Sequence, residues 1–116
     1  MKKLLFFDLE CSNCFQGKGK VCEFGAVLTD EHFNIIREYD IPMNPGERRE
    51  FRFDETIKIR DKGFDWAYDK DYYLTLREFP YYYRETIKKL LEDEDTIIFG
   101  YSIENDIRYL SYTLGR

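Results

Sequence analysis

The sequence has no apolar run suited to a membrane or to export. After MKK only Leu4 to Phe7 are apolar before Asp8 interrupts. A secretory core needs roughly 7–15 apolar residues and a spanning helix about 20. The expected location is therefore cytoplasmic, with no membrane partner. Cysteine is scarce and odd in number, at three residues. That excludes a closed disulfide framework and suits a reducing compartment. Histidine occurs once, at His32. Excess basic charge is missing as well. The net charge is −5 and the pI about 5.0, which argues against a plain basic nucleic-acid binder. A nuclease whose acidic site is neutralised by bound cations stays open. No repeat, linker or low-complexity tract divides the chain, so residues 1–116 read as a single domain.

What is present is a folding sequence. Hydrophobic residues make up 43% and aromatics 18%, enough for a real core. Lys3 to Leu9 reads as a strand. Leu4, Phe6, Asp8 and Glu10 share one face, and Leu5, Phe7 and Leu9 the other. Both faces are apolar up to Asp8, which predicts a central strand covered on both sides. Val21 to Thr29 reads as a second strand with Cys22, Phe24, Ala26 and Leu28 on one face. Phe33 to Met43 reads as a third, closed by IPMNPG. The short link between these two predicts an antiparallel hairpin. Residues 47–73 read as irregular with short helical turns, a connection long enough to be functional. A helix is expected from about Arg77 to Asp93, with Pro80 in its first turn. TIIFG (Thr96 to Gly100) reads as a short buried strand. Ile103 to Leu114 reads as a last helix, with Ile103, Ile107, Leu110 and Leu114 on one stripe and Gly115 as its cap. The order β-β-β-α-β-α predicts an α/β fold with a mixed sheet flanked by helices.

Two chemistries overlap in FFDLECSNC. Asp8 and Glu10 project from one face at the C-terminal end of a central strand, where ligand sites of open α/β sheets form. Close carboxylates repel when ionised, and a divalent cation removes that cost. Oxygen ligands suit Mg²⁺ or Mn²⁺. The bland alternative is a solvated acidic strand end. Asp106 weighs against it, because its helix phase puts it on the sheet-facing flank of the last helix, toward Asp8 and Glu10. Its own bland alternative is a first-turn acid favoured by the helix dipole. Cys11 and Cys14 form a C-x-x-C, yet they enter a Gly/Lys loop rather than a helix N-terminus, where a thiolate would be stabilised. A zinc set of Cys11, Cys14, Cys22 and His32 would need Cys22, which reads as an inward strand residue. Reduced thiols are the expectation.

In this context FFDLE resembles the D-x-E motif that opens the DEDD 3′–5′ exonucleases of the ribonuclease H-like fold. VCEFGAVLTDEHFNIIREYDIPMNPG is similar to that family's second and third strands. EFPYYYRETIKKLLEDEDTIIFGYSIENDIRYL resembles the segment leading into its second motif, with Asp106 in the aspartate position. DnaQ-like proofreading exonucleases, polymerase III epsilon among them, are the nearest likeness. The resemblance runs over most of the chain and is weakest at residues 47–73. It implies two-metal hydrolysis of phosphodiester bonds at nucleic-acid 3′ ends. Asp8 would bridge two Mg²⁺ or Mn²⁺ ions, Glu10 would hold the ion beside the attacking water, and Asp106 the other. Main chain around Leu9 and Cys11 would line the pocket for the terminal nucleotide. The implied partners are single-stranded DNA or RNA 3′ ends and, for a proofreading enzyme, a DNA polymerase.

Phe64, Trp66 and Tyr68 are read as packing residues rather than base-stacking ones. Tyr101 and Ser102 stand where many relatives have His-Asn. The family's third motif, with a general base and a fourth carboxylate, has no match before Arg116, ten residues past Asp106. The chain therefore reads as the N-terminal portion of such a domain, with little nuclease activity by itself. The alternative is a degenerate exonuclease fold that binds a nucleic acid or a polymerase without catalysis.

Overall fold

Three strands open the fold. They are β1 (Lys3–Ser12), β2 (Lys20–Asp30) and β3 (Ile35–Pro42). The computed structural model describes residues 2–13, 19–46 and 70–114. Cys14, Phe64, Trp66, Tyr68, Gly115 and most of the stretch expected to be irregular lie outside the described residues. β1 pairs antiparallel with β2, from Lys3 opposite Asp30 to Ser12 opposite Lys20. β3 pairs antiparallel with β2. The expected hairpin therefore forms, but β3 starts two residues later than the apolar pattern suggested. Asp30 is the cause. Its Oδ1 accepts the amides of His32 and Asn34 at 2.8 and 3.0 Å. Its Oδ2 accepts the Asn34 side-chain amide at 3.0 Å. This Asx-type closure places Phe33 in the left-handed region, at φ 64°.

Lys70–Leu74 forms a short helix, α1. Residues 79–91 form α2, with Pro80 in its first turn as expected. The middle of α2, Tyr83–Ile87, is π-helical, and the Lys88 amide donates to the Tyr83 carbonyl. β4 (Thr96–Phe99) lies parallel to β1, with Lys3 opposite Thr96 and Phe6 opposite Phe99. The Lys3 amide donates to the Asp95 carbonyl at 2.8 Å, and its ammonium pairs with Asp93 at 3.0 Å. Ile103–Thr113 forms α3. The strand order is β3-β2-β1-β4, which makes β1 central and mixes both pairing senses.

Leu5, Phe7, Leu9 and Cys11 of β1 pack with Phe24, Ala26 and Leu28 of β2. Phe79 and Ile87 of α2 and Leu110 of α3 complete this core. The other face of β1 does not follow the expectation of cover on both sides. Phe6 and Asp8 are exposed there and Leu4 is half-buried. β4 is likewise half-buried rather than buried, with Ile97 and Phe99 exposed beside Phe6. Phe6 stacks on Phe99 at 5.0 Å between ring centroids. The reason is layering. The described helices that reach the core pack on one face of the sheet only.

Candidate active site at the ends of the central strands

Alternation along β1 puts Asp8 and Glu10 on the open face, near the strand's C-terminal end. Asp8 is exposed and Glu10 half-buried. Asp8 Oδ1 accepts the Leu9 amide at 2.9 Å, which holds the carboxylate close to its own backbone. The ladder shifts register after Glu10. Glu10 faces Glu23, but Cys11 faces Val21, so Cys22 is the extra residue of a β-bulge. The buried Cys22 thiol donates to the Glu10 carbonyl at 3.2 Å. Bulges re-aim side chains and are frequent beside functional sites. The neighbouring Val21 amide donates to Thr113 Oγ1 at 2.8 Å, which ties α3 to the bulge.

α3 presents Asp106, Leu110 and Thr113 as its buried face, at spacings of four and three residues. The expected stripe is rotated. Leu110 is buried, whereas Ile103 and Ile107 are exposed. Asp106 therefore sits in the centre of the packed face rather than on its flank. It is only 7% exposed, and its Oδ2 has no hydrogen-bond partner. Gly100 leaves room for it. A Cβ at Gly100 would lie 3.5 Å from Asp106 Oδ2 and 3.6 Å from the Phe7 carbonyl. The carboxylate thus rests over the junction where β4 ends against β1, one residue from Asp8. Burial, and next the charge of Asp8, push the Asp106 carboxyl up to about 6.

Glu10 has acidic neighbours that the sequence reading missed. Glu23 is pushed up to about 7, first by burial, then by Asp40, by Glu10 and by a hydrogen bond with Asp40. The pair follows from the β1–β2 ladder, in which Glu23 stands opposite Glu10, a register that the sequence pattern alone does not fix. The structure thus brings Asp8 to Asp106, and Glu10 to Glu23. Among the described residues no group of three or more His, Cys, Asp or Glu is arranged to hold a metal ion. Leu9 and Cys11 turn their side chains into the core. His32 lies in the β2–β3 turn, past Asp30, whose partner is Lys3 at the opposite end of β1. Seven residue steps along the strand take Lys3 to Glu10, on the order of 20 Å.

The chain matches no protein-family model and no curated protein. Solved structures do match. The E. coli exonuclease I complex with a dA16 oligonucleotide superposes with a TM-score of 0.74 at 17% identity, over 99% of this chain and 24% of that one. The zinc-ion-bound form of the E. coli ExoI–ssDNA complex gives 0.73 at 18% identity, over 99% and 24%. The metal-free form gives 0.70 at 19%, over 94% and 23%. The fold is ribonuclease H-like. At these identities the likeness establishes the fold, and the chain spans about a quarter of the length of the solved chains it matches.

In this ribonuclease H-like sheet the donor set at the β1–β4 junction is all oxygen. A buried carboxylate oxygen with no partner, beside a second carboxylate, is an unfavourable arrangement for an ionised pair. A hard divalent cation would relieve it, so the residues fit such an ion.

Proposed function

We propose that this chain carries the carboxylate half of a metal-dependent 3′–5′ exonuclease site acting on single-stranded nucleic-acid ends. The observation that supports this reading is Asp106, a buried carboxylate with an unpartnered oxygen within electrostatic reach of Asp8. Asp8, Glu10 and Asp106 would hold Mg²⁺ or Mn²⁺. The ion would supply charge stabilisation at the scissile phosphate and an acidified water. The chain's own part is to orient oxygen ligands. The Leu9 amide fixes one Asp8 oxygen, the bulge at Cys22 sets the Glu10 main chain, and α3 carries Asp106 over the strand ends. The solved exonuclease I structures hold single-stranded oligonucleotides, which supports an unpaired strand as the ligand here. A polymerase partner follows only from the proofreading resemblance.

The general base expected from the resemblance has no candidate in His32, which lies at the far end of the sheet. Residues 1–116 alone are therefore expected to bind the cation and release little mononucleotide. The test titrates the chain with Mn²⁺, following water-proton relaxation. The wild type should bind, and Asp106→Asn should bind at least tenfold more weakly. Equal relaxation from both would remove Asp106 from the site. A 3′-labelled oligonucleotide incubated with Mn²⁺ reports hydrolysis, and full activity from residues 1–116 would show that the base is already present. The non-catalytic reading draws support from the lack of a three-ligand cluster among the described residues. It predicts strand binding that Mn²⁺ leaves unchanged.

A further inference from the structure

The turn between β4 and α3 carries an aromatic that the carboxylate chemistry does not use. Tyr101 is 102% exposed, as open to water as in an extended chain. It directly follows Gly100, against which Asp106 Oδ2 rests. Next to it in the chain Ser102, Ile103, Glu104 and Asn105 line a shallow, open depression of about 320 Å³. Ile103 is 37% exposed and adds an apolar surface two residues from Tyr101. The turn is also held in shape. Asn105 donates its side-chain amide to Ser102 Oγ at 2.9 Å, and the Arg108 guanidinium donates to Asn105 Oδ1. A cation is thereby drawn back along α3 in a chain of net charge −5.

Each part fits one ligand class. A flat aromatic in water accepts the face of a nucleobase, and such stacking is tolerant of sequence. A rigid turn loses little freedom on binding. The neighbouring carboxylates mark where the phosphate would be held. We infer that Tyr101 is the stacking platform for a base at the 3′ end of an unpaired strand, with Ile103 at its edge. The inference rests on the exonuclease reading and adds a strand-positioning residue to it. Tyr101 touches a base and not the reacting atoms, so it is a binding residue.

The test uses residues 1–116 and a single-stranded oligonucleotide with 2-aminopurine at its 3′ end, in Mn²⁺ at low salt. Binding is followed by anisotropy, and stacking by quenching of 2-aminopurine. Tyr101→Ala should weaken binding about tenfold and lose most of the quenching. Tyr101→Trp should retain both. The thermal melt of Tyr101→Ala should match the wild type, since the ring is fully exposed. Equal affinity and equal quenching from Tyr101→Ala overturn the inference and leave the exonuclease reading standing. Failure of the wild type to bind the strand, with Asp106→Asn indistinguishable from it, overturns both.

Discussion

Asp106 is held at a cost to the fold. An ordinary aspartate ionises near 3.8, and this one near 6. The unfolded chain therefore gives up this proton more readily than the folded one. Stability falls as pH rises from about 4 to 6, and the loss is complete above that. Discounted for partial solvent screening, a difference of this size is on the order of 2 kcal/mol. Glu23 acts in the same direction between about 4.5 and 7. Asp93 acts in the opposite direction. Hydrogen bonding to Lys3, then to the Asp95 amide and Thr96, holds it at about 2, so its contribution is present above pH 4 and lost as pH falls toward 2. Without divalent cation, Asp106→Asn should be more stable than the wild type at pH 7.5 by roughly 2 kcal/mol. The gap should close near pH 4. Urea midpoints at the two pH values check this, and a gap that does not change with pH would mean that Asp106 is not the strained group. Adding Mn²⁺ at pH 7.5 should raise the wild-type midpoint and leave that of Asp106→Asn where it was.

Two elements owe their packing to irregularities rather than to regular structure. In an unbroken α-helix Phe79 and Ile87, eight residues apart, would face about 80° away from each other. The π-helical segment Tyr83–Ile87 turns less per residue, which returns Ile87 to the side of Phe79. Both side chains are then fully buried in the same core. The second irregularity is the bulge after Glu10. Its Val21 amide donates to Thr113 Oγ1, which itself donates to the Tyr109 carbonyl at 2.7 Å. Thr113→Val keeps the shape and removes the acceptor, leaving a buried amide unsatisfied. That should destabilise the fold by about 1–3 kcal/mol. The same bond sets α3 against β2, so Mn²⁺ affinity should fall although Thr113 touches no ligand. Thr113→Ser should restore both readouts. Denaturation and Mn²⁺ relaxation on the pair check the point. A Val variant with wild-type affinity would show that α3 is placed by packing alone.

At the scale of the whole molecule, the described residues form a sheet with one buried face and one open face, and that asymmetry limits what the sequence could disclose. Strand order and the parallel pairing of β4 with β1 were readable, because a hairpin pair followed by a crossover helix admits few arrangements. The position of Asp8 on the open face was readable from strand alternation. Burial was not. Leu4, Phe6, Ile97 and Phe99 are as apolar as core residues, so nothing in their chemistry said that the described helices would build the core on the other side. The rotation of α3 was hidden for a related reason. Its exposed Ile103 and Ile107 outweigh, in any count of apolar spacing, the polar Asp106 and Thr113 that in fact face inward. The open face can be tested directly. Leu5 is fully buried, and Leu5→Ala should cost about 2–5 kcal/mol. Ile97 is 47% exposed on the edge strand, and Ile97→Lys should cost within about 0.5–1 kcal/mol. A lysine there should also discourage edge-to-edge association of the sheet. If Ile97→Lys lowers the urea midpoint as far as Leu5→Ala does, that face is covered in solution and the sheet has two cores instead of one.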